Sequence, residues 1–282
     1  MTQIWMLSLS GEEKEMYKIA EILGFLEDSE ALAVSVYETP ETHKVEALYD
    51  ALENAKLART KVGGDITKLE DRDWVSETQS GLSPVEAGRF FVHGSHDSDK
   101  IPSHIEFPIL IDAGMAFGTG HHGTTKGCLL ILDQLRENNI SPSKVLDLGC
   151  GAGILAIAAA KSLPASIILA SDIDPDAIEV TKDNAKLNQV STHIKAFKAD
   201  GFASPHLKAQ SFDLIFANIL AGPLMSLAPD IFEATSAKGK VVLSGILEEQ
   251  GSTVKAMFET VGFIVESETR LDGWSSLLMK RP

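Results

Sequence analysis

Residues 145–153 read Val145-Leu146-Asp147-Leu148-Gly149-Cys150-Gly151-Ala152-Gly153. An apolar run holding one acid ends in three alternating glycines, and Gly153–Ser162 then reads as a helix. Glycine suits such a joint because the chain turns sharply and its backbone can approach a bound molecule that a Cβ would hold away. Lys144–Leu148 is therefore expected as a buried strand. The same alternation continues, with strands at Ser166–Ala170, Ile194–Lys198, Phe212–Ala217 and Lys240–Ser244. Helices are expected at Pro175–Asn188, Pro223–Glu233 and Leu247–Val261. Strands alternating with helices imply an α/β fold, a parallel sheet covered on both faces. Gly262–Glu268 and Trp274–Lys280 have no helix between them and read as a C-terminal antiparallel hairpin. In such a sheet, molecules bind at the carboxyl ends of the strands.

Working back from this region, residues 1–69 read as a small α+β unit of β-α-β-β-α-β order, the ferredoxin-like arrangement in a shortened form. Its expected elements are Gln3–Ser10, Glu12–Leu26, Ala31–Tyr37, Lys44–Tyr49, Ala51–Arg59 and Asp65–Leu69. Residues 70–108 carry Gly81, Pro84, Gly88, Gly94, Pro102 and Pro108, with one strand at Arg89–His93. Breakers at that frequency mark a linker. The sheet domain then occupies residues 109–282.

The chain has 282 residues and a formal net charge of −15. Residues 1–100 hold 20 Asp/Glu against 10 Lys/Arg, so most of the excess acid lies in the first third. Sequence-independent nucleic-acid binding needs Lys and Arg to neutralise phosphates, so direct nucleic-acid binding is not expected. An anionic membrane is disfavoured too, whereas a basic protein partner is compatible. Two cysteines, Cys128 and Cys150, form neither a disulfide framework nor a zinc motif. No apolar stretch approaches the ~20 residues that cross a bilayer. A cytoplasmic protein is expected, with a monomer favoured and no metal.

The glycine spacing narrows the chemistry. The dinucleotide loop needs glycine three places after Gly151, but Ile154 stands there, and no Gly-Lys-Ser/Thr phosphate loop is present. An acid followed by G-x-G-x-G resembles the loop of class I S-adenosylmethionine methyltransferases. Asp172 stands 23 positions after Gly149, at the end of the next strand, where a carboxylate can accept both ribose hydroxyls. Asp174 before Pro175 reads as the N-cap of the following helix. Asp200 either faces the adenine amino group or is a plain loop acid.

The fourth strand leads into Asn218-Ile219-Leu220-Ala221-Gly222-Pro223. Methyl transfer to an amine chiefly requires alignment, desolvation and a neutral nucleophile. The Asn218 carbonyl is placed to accept an amine N–H and aim its lone pair; the alternative is a turn residue. Ahead of the sheet, Phe117-Gly118-Thr119-Gly120-His121-His122-Gly123-Thr124-Thr125 reads as a loop entering a helix at Lys126–Leu135, with Thr125 donating a hydroxyl. His121 and His122 lack a third ligand and read as loop polar groups. Cys150 reads as a small filler between glycines.

Together, Phe117–Thr125, Val145–Leu155, Asp172–Asp174 and Ala217–Pro223, with Leu243–Ile246, Trp274 and Asp73-Trp74, resemble the bacterial ribosomal protein L11 methyltransferase family (PrmA). The resemblance implies a class I methyltransferase Rossmann-like sheet and S-adenosyl-L-methionine as cofactor. It implies cofactor contacts at Phe117, Thr125, Gly149, Gly151, Asp172 and Asn218, with Asn218 also at the reacting centre. It further implies an N-terminal domain that recognises ribosomal protein L11, and methylation of that protein's lysine ε-amines and N-terminal α-amine. His121 and Gly123 depart from the family's usual Thr and Pro. Two rival readings are an N-methyltransferase of another protein or small amine, and a non-catalytic S-adenosylmethionine-binding module.

Overall fold

The structure, a computed structural model, describes residues 5–24, 31, 33–38, 42–68, 84–111 and 122–282. These fall into two compact units, 5–68 and 84–282. The first runs β1 (Trp5–Gly11), α1 (Glu13–Gly24), β2 (Ala33–Glu38), β3 (His43–Tyr49), α2 (Leu52–Val62) and β4 (Asp65–Lys68). Its strands pair antiparallel in the order β2-β3-β1-β4. Along β3, Val45, Ala47 and Tyr49 are buried and their neighbours half-buried, the period-2 pattern of a sheet with one face packed. That face meets Met16 and Leu23 of α1 and Ala55 and Ala58 of α2.

The second unit begins with β5 (Val85–Ala87), β6 (Phe90–His93) and β7 (Phe107–Leu110). Residues 84–110 are thus not the plain linker that their breakers imply. Gly88, at φ +58°, takes the left-handed turn of the β5–β6 hairpin, and Pro108 sits on an edge strand. Val85, Phe90, Val92, Phe107 and Ile109 belong to the core of the large sheet's helical layer. Arg89 fastens this small sheet to α3 (His122–Glu137), its Nε 2.7 Å from Asp133 Oδ1.

The remaining elements are β8 (Lys144–Leu148), α4 (Ile154–Ser162), β9 (Ile167–Asp172), α5 (Pro175–Leu187), β10 (Ile194–Lys198) and β11 (Phe212–Asn218). Then come α6 (Ala221–Ser226), α7 (Ala228–Ala234), β12 (Thr235–Leu247), α8 (Glu248–Thr260), β13 (Ile264–Leu271) and β14 (Trp274–Lys280). They make a seven-stranded sheet of order β10-β9-β8-β11-β12-β14-β13. β8 to β12 are parallel; β14 inserts antiparallel between β12 and β13, leaving β13 at the edge.

Side chains alternate between two cores. Val145, Leu214, Phe216, Val242 and Leu278 face α3, α4 and α5. Leu146, Ile215, Ala217, Val241 and Leu277 face α6, α7 and α8. Burial on both faces is why these strands read as unbroken apolar runs. Several boundaries differ from expectation, two of them around α7. Pro229 lacks an amide proton and clashes with a helical carbonyl four residues back, so the helix expected over Pro223–Glu233 divides into α6 and α7 at Leu227. β12 starts early, at Thr235, which pairs with Phe212 before the register shifts.

Candidate active site

The site is built where β8, β9, β11 and β12 end. After β8, Gly149, Gly151 and Gly153 have φ of +72°, +53° and +81°, values that other residues reach only with strain. The Gly149 and Cys150 amides donate to the Ser171 carbonyl at 2.8 and 3.0 Å, tying the turn to β9. Gly153 then caps α4. A Cβ on Gly149 would lie 2.4 Å from Ile219 Cγ2, so this glycine lets the segment after β11 come close.

Asp172 ends β9, half-buried. Its Oδ2 accepts the Gly151 amide at 2.8 Å, and its Oδ1 accepts the Asp174 amide at 3.0 Å. Each oxygen keeps a further lone pair for a hydroxyl donor. Asp174 caps α5, accepting the Asp176 amide at 2.8 Å in front of Pro175, as its position in the sequence implies. Asp200 is exposed in the loop after β10.

Asn218 is the last residue of β11, half-exposed, and pairs across the ladder with Ser244. Ser244 Oγ lies 2.8 Å from Ser276 Oγ and donates to the Thr124 carbonyl at 3.2 Å. This buried chain joins β14 and β12, the latter beside the end of β11, to the first turn of α3. Thr125 therefore lies inside the helix, buried, rather than at its first residue, because α3 begins four residues before the expected Lys126. Gly123 and Gly127 allow the close packing: a Cβ on Gly123 would meet Trp274 Cδ1 at 2.9 Å, and one on Gly127 would meet Ser276 Oγ at 2.3 Å. Phe117 and His121 lie outside the described residues, and His122 opens α3. Among the described residues, no group of three or more His, Cys, Asp or Glu is arranged to hold a metal. Likewise no helix among them is long and apolar enough to cross a membrane.

Three further side chains lie near the loop: Asp147, the acid that precedes the glycines in sequence, and Thr181 and Asn184, which sequence reasoning did not single out. Asp147, 1% exposed, accepts the Ala156 amide at 2.8 Å, and burial pushes its carboxyl up to about 7. Thr181 donates to the Gly151 carbonyl at 2.8 Å, and Asn184 to the Ala152 carbonyl at 3.0 Å. The available signal was that Thr181 and Asn184 share the buried stripe of α5 with Ile178 and Ala185. Cys150 is buried, its Sγ 3.4 Å from Thr181 Oγ1, and burial raises its thiol pKa, so it packs rather than attacks.

The arrangement fits a cofactor with a ribose and an aminoacyl end. The glycine turn gives a backbone cradle, Asp172 an anionic acceptor beside it, and Asn218 a neutral amide across the strand ends.

The family model described as ribosomal protein L11 methyltransferase (PrmA) matches residues 8–282. A protein of that name from Brucella melitensis biotype 2 is 46% identical over 255 residues, covering 90% of this chain and 86% of its own. One from Bradyrhizobium diazoefficiens is 41% identical over 283 residues, covering 96% and 95%. The crystal structure of a ribosomal protein L11 methylase from Lactobacillus delbrueckii subsp. bulgaricus aligns at a TM-score of 0.62 with 29% identity, covering 70% of this chain and 98% of that one. The chain belongs to the ribosomal protein L11 methyltransferase (PrmA) family and is an S-adenosylmethionine-dependent protein methyltransferase.

Proposed function

We propose that this protein methylates ribosomal protein L11, at lysine ε-amines and the N-terminal α-amine, with S-adenosylmethionine as methyl donor. The observation that carries this reading is the match to the family over residues 8–282 together with an intact glycine turn, Asp172 and Asn218 at one end of the sheet. The cofactor supplies a methyl group on a sulfonium, a good leaving group. The protein's part is to hold Gly149, Gly151 and Asp172 as its seat, with Thr125 and Phe117 as the further contacts that the family resemblance implies. Asn218 accepts an N–H of the incoming amine and points the lone pair inward. Free lysine has a pKa of ~10.4, so burial that disfavours the ammonium is part of the catalysis. The proton leaves to solvent.

The acidic first third, 20 Asp/Glu against 10 Lys/Arg over residues 1–100, suits recognition of a basic ribosomal protein by the N-terminal unit. A cytoplasmic monomer that makes no direct contact with nucleic acid or membrane accords with its charge and its two buried thiols. Incubating the purified protein with radiolabelled S-adenosylmethionine and separated ribosomal proteins tests the reading. Label on L11 alone is expected. Label on another protein redirects the substrate, and tight cofactor binding without label makes the chain a binding module.

A further inference from the structure

Threonine and asparagine are poor choices for a helix interior, and buried polar side chains require partners. Helix α5 nevertheless buries Thr181 and Asn184 completely, and its C-cap residue Asn188 almost so. At spacings of three and four residues they line one face. Their partners are not only the helix's own backbone. Thr181 Oγ1 donates to the Gly151 carbonyl at 2.8 Å and Asn184 Nδ2 to the Ala152 carbonyl at 3.0 Å. Asn188 accepts the Leu110 amide at 3.0 Å and donates to the Leu110 carbonyl at 2.6 Å, fixing the end of β7 to the same helix. The turn needs such donors. The Cys150 and Gly153 carbonyls accept the Gly153 and Ile157 amides at 2.8 and 2.9 Å, whereas the Gly151 and Ala152 carbonyls accept from the Thr181 and Asn184 side chains.

The Gly151 residue is thereby held from two sides. Its N–H donates to Asp172 and its carbonyl accepts from Thr181, so one strand–helix unit, β9–α5, grips the turn of the preceding one. Gly153 completes the fit, since a Cβ there would lie 2.9 Å from both Oγ1 and Cγ2 of Thr181. Valine would fill the same volume at 181, so what the hydroxyl adds is its bond to the Gly151 carbonyl and a longer contact with the Cys150 thiol.

We propose that Thr181 and Asn184 are positioning residues for the cofactor site: by holding the Gly151–Ala152 carbonyls they keep the Gly151 amide on Asp172, and so keep the carboxylate aimed at the ribose. The inference rests on the S-adenosylmethionine reading of the site. A turn that leaves its competent geometry part of the time binds with an affinity reduced by that fraction.

Calorimetric titration of S-adenosylmethionine into the full-length wild type, Thr181→Val and Thr181→Ser is the test. Thr181→Val is expected to raise Kd about tenfold and Thr181→Ser to stay within about twofold of wild type, as for loss and retention of one buried hydrogen bond. In cofactor-free protein, amide exchange over residues 149–153 should quicken in Thr181→Val alone. A purely structural role lowers the melting temperature but leaves Kd and loop exchange in place, and that result overturns the proposal. Weakening that Thr181→Ser fails to recover overturns it equally. If Thr181→Val does not fold, Thr181→Cys keeps the volume with only a weak donor. An intermediate Kd is then expected, and a wild-type Kd is contrary. Wild-type protein that binds no S-adenosylmethionine overturns the proposed function; wild-type binding with unmoved variants overturns only the positioning role.

Discussion

Asp172 and Gly151 are joined by a 2.8 Å hydrogen bond from backbone amide to carboxylate, so the acid at the end of one strand braces the turn after its neighbour. The side chain that would receive the ribose also sets the shape of the loop beside it. Asp172→Ala removes both functions. Its S-adenosylmethionine affinity is expected to fall by about 1.5–3 kcal/mol, the range for a charged hydrogen bond, measured by calorimetry. Asp172→Asn keeps an acceptor for Gly151 and should lose less. Equal losses in the two variants would count against a role in holding the turn.

Gly149→Ala asks a residue with a Cβ to adopt φ +72° and places that carbon 2.4 Å from Ile219 Cγ2. The conformational cost alone is about 1–2 kcal/mol. A lower urea midpoint and weaker cofactor binding are expected together. Adding Ile219→Ala relieves the clash but not the dihedral, so the double variant should recover only part of the stability. Full recovery would show that the left-handed conformation costs nothing here.

Asn218→Ala should lower kcat for amine methylation roughly 10²-fold, the scale seen when one oriented polar group is lost from a reacting centre. The calorimetric Kd for S-adenosylmethionine should move by less than about tenfold. A kcat that is unchanged would make Asn218 a turn residue only.

Asp147 links pH to stability. Burial lifts its folded-state pKa to about 7, above the ordinary 3.8. Between these values the folded protein holds a proton that the unfolded chain releases. Stability from this group therefore falls as pH rises from about 4 to about 7, and levels off above. Asp147→Asn has no proton to lose, so the gap in urea midpoint between variant and wild type should shift in the variant's favour from pH 5 to pH 8. A gap constant across that range would place the carboxyl's titration elsewhere.

Asp133 accepts from the Arg89 side chain at 2.7 Å and lies near its backbone amide, while Glu106 and Glu137 sit 3.8 and 3.9 Å from the same guanidinium. Asp133→Ala should cost about 1.5–3 kcal/mol of unfolding free energy, because it leaves a half-buried arginine short of its main partner. Denaturant titration of the single variant and of Arg89→Ala/Asp133→Ala would separate the pair's coupling from simple truncation.

The large sheet was legible because burial on both faces writes a parallel strand as an unbroken apolar run, and Val145–Leu148 and Phe212–Ala217 are such runs. The positions of Gly149 and Asp172 were legible because each sits where a strand ends and a helix begins. Residues 84–110 misled: Gly88 and Pro108 are breakers in sequence, yet one serves a tight hairpin and the other an edge strand. Thr181 and Asn184 were missed because a polar residue on a helix reads as solvated, and only the fold brings the Gly151 and Ala152 carbonyls to them. Asp147 was legible as the acid before the glycines, while its raised pKa follows from burial that no local pattern reveals.

Among the described residues, the insertion of β14 leaves the big sheet with two open borders, β10 and β13. An open border offers unpaired amides and carbonyls to any passing strand, the usual route to edge-to-edge aggregation. Here both borders end in charge: exposed Lys195 and Lys198 on β10, and exposed Glu266, Glu268 and Arg270 on β13. A second molecule adding to either side would have to strip water from these groups. Five charged side chains at its rims therefore oppose edge-to-edge growth of a sheet this apolar inside.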